Sequence, residues 1–145
     1  MNSVCTLNRR ILVIDESPAV LQDFRKILCP ATRFISGVWL ESMHEPFDDS
    51  FLHQEKEPFE LDCVDNRESG RDLVTHAKAQ GSPFAVVFLN VQLVNGWDGF
   101  ETVKRIWNED SEVQVVLCTA QTDFGWSEVL SRLGRRDQLL ILRKP

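Results

Sequence analysis

The sequence predicts an open α/β domain built on a parallel five-stranded sheet with helices on both faces. Three observations carry that reading. Short apolar runs rich in β-branched residues recur along the chain. They are nearly continuous rather than alternating, the pattern of strands covered on both sides. Between them lie segments whose apolar residues recur at helical spacing, so strand and helix alternate as in β-α-β units.

The first run is ILVID, Ile11 to Asp15. In SPAVLQDFRKIL, Ser17 can cap a helix and Pro18 suits its first turn. Val20, Leu21, Phe24, Ile27 and Leu28 then follow at helical spacing. FELDCV (Phe59 to Val64) reads as the second strand, and RESGRDLVTHAKAQ as a helix despite Gly70. FAVVFLN (Phe84 to Asn90) is the clearest strand signal. GFETVKRIWNE is an amphipathic helix with Phe100, Val103, Ile106 and Trp107 on one side. VQVVLCT (Val113 to Thr119) gives the fourth strand, WSEVLSRLG a short helix ended by Gly134, and LLIL (Leu139 to Leu142) the fifth strand.

A chain of 145 residues is one domain's worth of sequence, read here as a single unit over 1–145. Its connection from about residue 30 to 58 is too long for a simple loop. That insertion holds six acids against Arg33 and Lys56 and so carries −4 of the formal −6. Phe34, Trp39, Phe47 and Phe51 give it apolar content, as expected of a packed acidic insertion. The chain stops at Pro145, directly after the fifth strand. The last helix that such a sheet normally lays over that edge is thus expected to be absent, as in a domain cut from a longer protein. The uncovered face is expected to find a partner, through a homodimer, helix exchange or a segment of the insertion.

Composition excludes several classes. No run approaches the roughly 18 apolar residues of a membrane span, and MNSVCTLNRR has no apolar signal core, which points to a cytoplasmic protein. With −6 overall, nothing resembles a phosphate-binding stripe, and Arg135–Arg136 is one short basic spot, so nucleic acid is not an expected partner. Cys5, Cys29, Cys63 and Cys118 are scattered without CxxC spacing and read as free thiols.

In open α/β sheets, function gathers beyond the carboxyl ends of the strands. Those ends carry Asp15 and Glu16, then Asn90, Thr119 and Lys144. Two acids, an amide, a hydroxyl and an ammonium should therefore meet on one shallow patch. Singly, each has an ordinary explanation, since acids cap helices and lysines are solvated. Their coincidence at four strand ends is the signal.

These residues resemble the motifs of response-regulator receiver domains of two-component phosphorelays. ILVIDES is similar to the opening strand with its acidic pair, and FLNVQLVNGWDG to the third strand and its loop. CTA and RKP match the hydroxyl and the Lys-Pro of the family. The resemblance implies a flavodoxin-like sheet of order 2-1-3-4-5. It implies Mg²⁺ held by Asp15, Glu16 and the main-chain carbonyl of Gln92, with Thr119 and Lys144 on the phosphoryl oxygens. It also implies a histidine kinase or another signalling protein as partner, and output domains in a longer chain. Asn90 stands at the phosphoacceptor position. A carboxamide is not nucleophilic there, and it removes one negative charge from the cation site, so Mg²⁺ should bind weakly or not at all. Val94 replaces the usual proline and Ile141 the usual aromatic switch residue. The expectation is a pseudo-receiver that acts by protein–protein interaction and is not an enzyme. The alternative is an authentic Mg²⁺-dependent receiver whose acceptor is mutated in this copy.

Other classes fit less well. A haloacid-dehalogenase-like phosphatase built on Asp15 would need a second Asp where Ser17 stands. Neither GxxxxGK[ST] nor GxGxxG is present. His44, His53 and Cys63 are too loosely spaced to define a metal site.

Overall fold

A computed structural model of the protein describes residues 7–29, 59–91, 99–120, 126–134 and 137–143. Five strands and four helices alternate within them. They are β1 (Arg10–Ile14), α1 (Pro18–Leu28), β2 (Glu60–Val64), α2 (Arg67–Ala79), β3 (Val86–Asn90), α3 (Gly99–Glu109), β4 (Gln114–Thr119), α4 (Trp126–Leu133) and β5 (Leu139–Arg143). All strand pairs are parallel, in the order β2-β1-β3-β4-β5. The predicted fold class and strand order are those observed.

Successive side chains of a strand point to opposite faces, and this alternation divides the core in two. Leu12, Ile14, Val87, Leu89, Val115 and Leu117 face one way and meet Val74 of α2, Val103 and Ile106 of α3, and Val129 of α4. Ile11 and Val13 face the other way and pack with Leu21 of α1, bordered by Phe24, Leu28, Leu61 and Phe88. Among the described residues, one helix thus covers the second face and three cover the first. On β5 the second face bears Leu140 and Leu142, 66% and 48% exposed.

Local signals account for the helix ends. The Ser17 hydroxyl accepts from the Val20 N–H, with Pro18 in the first turn, and the Asn66 side chain accepts from the Ser69 N–H to open α2. Gly134 closes α4 with φ +68°, a left-handed conformation that glycine adopts without a Cβ clash. Gly70 has a different cause. A Cβ there would collide with Ile14 Cδ1 and lie 2.8 Å from Ile14 Cγ1, so its lack of a side chain lets α2 lie directly on β1.

The structure adjusts some expectations. Ile27 is 75% exposed rather than part of the α1 core stripe. At 100° per residue it falls at the margin of the stripe centred between Leu21 and Phe24, and the helix ends one residue later. β3 begins at Val86 rather than Phe84, although Phe84 is buried. β1 gains Arg10, which pairs with Glu60 of β2. The insertion at 30–58 lies outside the described residues.

Candidate functional site

The register brings the strand ends together. Ile14 is opposite Leu89, so the next residues, Asp15 and Asn90, face each other at the junction of β1 and β3. Asn90 is also opposite Cys118, and the Val91 N–H donates to the Cys118 carbonyl at 2.9 Å, carrying the ladder one step past β3. Thr119 ends β4 one residue beyond Cys118 and is opposite Arg143 of β5. The β1–β3 junction is the topological switch point, where the connections leave toward opposite faces and open a crevice.

Asp15 is 2% exposed, and its burial is compensated locally. Its main-chain N–H donates to the Val64 carbonyl at 3.1 Å. Its Oδ1 accepts the Ser17 N–H at 2.9 Å, a turn that also sets the chain for α1. The same Oδ1 lies 3.5 Å from Asn90 Nδ2, a long contact in which the amide donates to the carboxylate. Glu16 is exposed and Thr119 is buried. Thus Asp15 and Asn90 are in contact, Glu16 adjoins them in sequence, and Thr119 closes the neighbouring strand. Gln92 and Lys144 lie outside the described residues, as do His44 and His53.

Two buried carboxylate oxygens and an exposed acid beside them are hard oxygen donors suited to a divalent cation. The carboxamide contributes a neutral oxygen at most, and here it turns its nitrogen toward Asp15. The described residues therefore fit Mg²⁺ in donor type and fall one charge short. No group of three metal-ligating side chains occurs among the described residues.

One residue at this edge was not singled out from sequence. Arg67 opens α2 and is only 5% exposed. It lies on the stripe Arg67, Gly70, Val74, Ala77 that faces the sheet. The helical spacing of that stripe was the available signal, but an arginine in the first turn reads as solvated.

No protein-family model matches the chain, and no curated protein matches it in sequence. Solved structures do match. The signal receiver domain of an HD domain-containing protein from Pseudomonas fluorescens superposes with a TM-score of 0.62 at 17% identity, over 99% of this chain and 82% of that one. A structure described as an adenylate cyclase from Rhodopirellula baltica gives 0.63 at 18% identity, over 96% and 78%. The response regulator TrrA from Thermotoga maritima, in complex with Mg²⁺-BeF, gives 0.52 at 16% identity, over 92% and 86%. The fold is that of response-regulator receiver domains. Likeness at these identities concerns the fold, and the chemistry of the pocket rests on its own residues. Among the described residues no helix is long and apolar enough to cross a membrane.

Proposed function

We propose that this chain is a cytoplasmic, receiver-like signalling domain that acts by protein–protein interaction and does not accept a phosphoryl group. The observation that carries the reading is Asn90, which ends β3 at the switch point with its amide against the buried Asp15 carboxylate. In phosphoryl transfer to a receiver-type pocket, the protein supplies a carboxylate nucleophile, a cation to neutralise developing charge and groups to hold the phosphoryl oxygens. Asp15, Glu16 and the Gln92 carbonyl would hold the cation, and Thr119 and Lys144 would meet the phosphoryl oxygens. Asn90 supplies neither nucleophile nor charge. The domain is then no enzyme but a surface, and its partners are a histidine kinase or another signalling protein, with output domains in a longer chain. Receiver domains occur in such longer proteins, as in the HD domain-containing protein from Pseudomonas fluorescens.

A second reading draws its support from the surroundings of Asn90: an acidic pair follows β1, a buried threonine ends β4, and the register sets Asp15 beside Asn90, as a phosphoryl-accepting pocket would require. On this reading the chain is a phosphorelay receiver that has lost only its acceptor. Both readings share weak Mg²⁺ binding, since one negative charge is missing. Titration of the full chain with Mg²⁺ by calorimetry is the test. Heat that saturates only in the millimolar range is expected, and saturation at micromolar Mg²⁺ contradicts the charge argument.

A further inference from the structure

Arg67 stands where an arginine is costly. It is in the first turn of α2, at the positive end of the helix dipole, where a cation is disfavoured. It is only 5% exposed. Its stem does not carry the charge out to water, since Nε, Nη1 and Nη2 are all buried. A cation kept at such a position is balanced by acids around it.

The fold says which acids. α2 joins β2 to β3 and passes over β1, the strand between them. It runs against the strands, so its first turn lies at their carboxyl edge. Gly70 marks its height, because a Cβ there would lie 2.8 Å from Ile14 Cγ1 and 3.5 Å from Val64 Cγ2. Arg67 is on the same sheet-facing stripe, three residues and so about 4.5 Å nearer that edge. A strand advances about 3.3 Å per residue, which sets Arg67 level with Asp15 and Glu16. Helix side chains lean toward the N-terminus, so the guanidinium extends toward the crevice. Asp65 and Glu68 beside it are exposed, and Asp65 already accepts from Asn66 Nδ2 at 2.9 Å. Asp15, 2% exposed, is the buried acid at this edge among the described residues.

We infer, on the reading of that crevice as a cation site, that Arg67 is its resident cation and keeps Mg²⁺ affinity low, beyond the effect of Asn90. Asp15 and Glu16 supply two negative charges, and Arg67 offsets one of them. A divalent ion entering there is repelled by a fixed guanidinium that cannot be deprotonated. Taken at the aqueous limit and about 8 Å, that repulsion lowers affinity by about fivefold, and by more in a less polar crevice.

Calorimetric titration of the full chain and its variants with Mg²⁺ tests this, with thermal melts in parallel. Arg67→Met keeps the bulk, removes the charge, and should bind Mg²⁺ at least about fivefold more tightly than the parent. Its Tm should also rise more with Mg²⁺ than the parent's, a readout that serves even where the variant is unstable without the ion. Arg67→Lys keeps the charge and should behave as the parent does. Arg71→Met makes the same charge change one turn along α2 and should stay within about twofold of the parent. Equal affinity of Arg67→Met and the parent, both saturating in the millimolar range, overturns the role of Arg67 and leaves the Asn90 reading standing. Tightening in Arg67→Lys, or an equal gain in Arg71→Met, overturns it as well, because the placed charge would not be the cause. Micromolar saturation of the parent overturns both readings.

Discussion

Replacing Asn90 with Asp tests the geometry of the pocket before any chemistry is asked of it. The two side chains are nearly isosteric, so the change is electrostatic. Asn90 Nδ2 lies 3.5 Å from Asp15 Oδ1. The substitution removes a donor, worth about 1 kcal/mol at this long distance. It also sets a second carboxylate beside the first. Two charges about 4 Å apart repel by about 4 kcal/mol at an effective dielectric of 20 and by about 1 in water. Position 90 is half-buried, so about 2 kcal/mol is reasonable, and the total is roughly 3 kcal/mol. For a domain of this size that lowers Tm by roughly 6–12 °C at pH 8. The sign with pH follows from linkage. Repulsion raises the upper pKa of the pair above the unfolded carboxylate range, so the penalty is absent below that range and grows as pH rises through the raised value. Mg²⁺ offsets the repulsion, and millimolar Mg²⁺ should recover most of the loss in the variant while changing the parent little. Calorimetric melts of both proteins at pH 4.5 and 8, with and without Mg²⁺, read all of this. Equal Tm values at pH 8 without Mg²⁺ would refute the reasoning, because position 90 would then not adjoin Asp15.

Two further outcomes follow from the described residues. Gly70→Ala brings a Cβ against Ile14 and should destabilise by about 1–2 kcal/mol in urea titration, after about 1 kcal/mol of helix propensity is set against the clash; a stabilised variant would mean that α2 does not lie on β1. The Cys63 thiol is pushed above its ordinary value, chiefly by burial, with Asp62 and Cys29 adding and Arg25 opposing. Iodoacetamide at neutral pH should therefore label Cys63 more slowly in the folded protein than in urea, and equal rates by peptide mass mapping would contradict its placement.

The sheet was legible because its strands are covered on both faces and so read as continuous apolar runs. The strand order was not readable from periodicity. It came from the resemblance, and the register around Ile14, Leu89 and Cys118 bears it out. Pattern reading failed where a single residue sits at the margin of a stripe, as Ile27 does, or where charge and burial conflict, as at Arg67. Main-chain contributions were also hidden. The Ser17 N–H that holds Asp15 is part of a local turn, and sequence offered Ser17 only as a helix cap. The juxtaposition of Asp15 and Asn90 was the part of the site that strand ends alone could locate, since parallel strands deliver their carboxyl ends to one edge. The roles of Glu16, Gln92, Thr119 and Lys144 still rest on the resemblance.

The central claim is that a receiver-type pocket here has lost its acceptor at Asn90, and phosphoryl labelling tests it most directly. The parent protein and the Asn90→Asp variant are incubated with Mg²⁺ and acetyl phosphate, then compared by intact mass. The variant should gain one acid-stable, base-labile phosphoryl group, with the new carboxylate as nucleophile and the phosphoryl charge offset by the cation. The parent should gain none. Labelling of the parent would contradict the account, because another residue would then be the acceptor. A variant that stays unlabelled would contradict the reading that only the acceptor is lost, leaving the surface as the domain's working part.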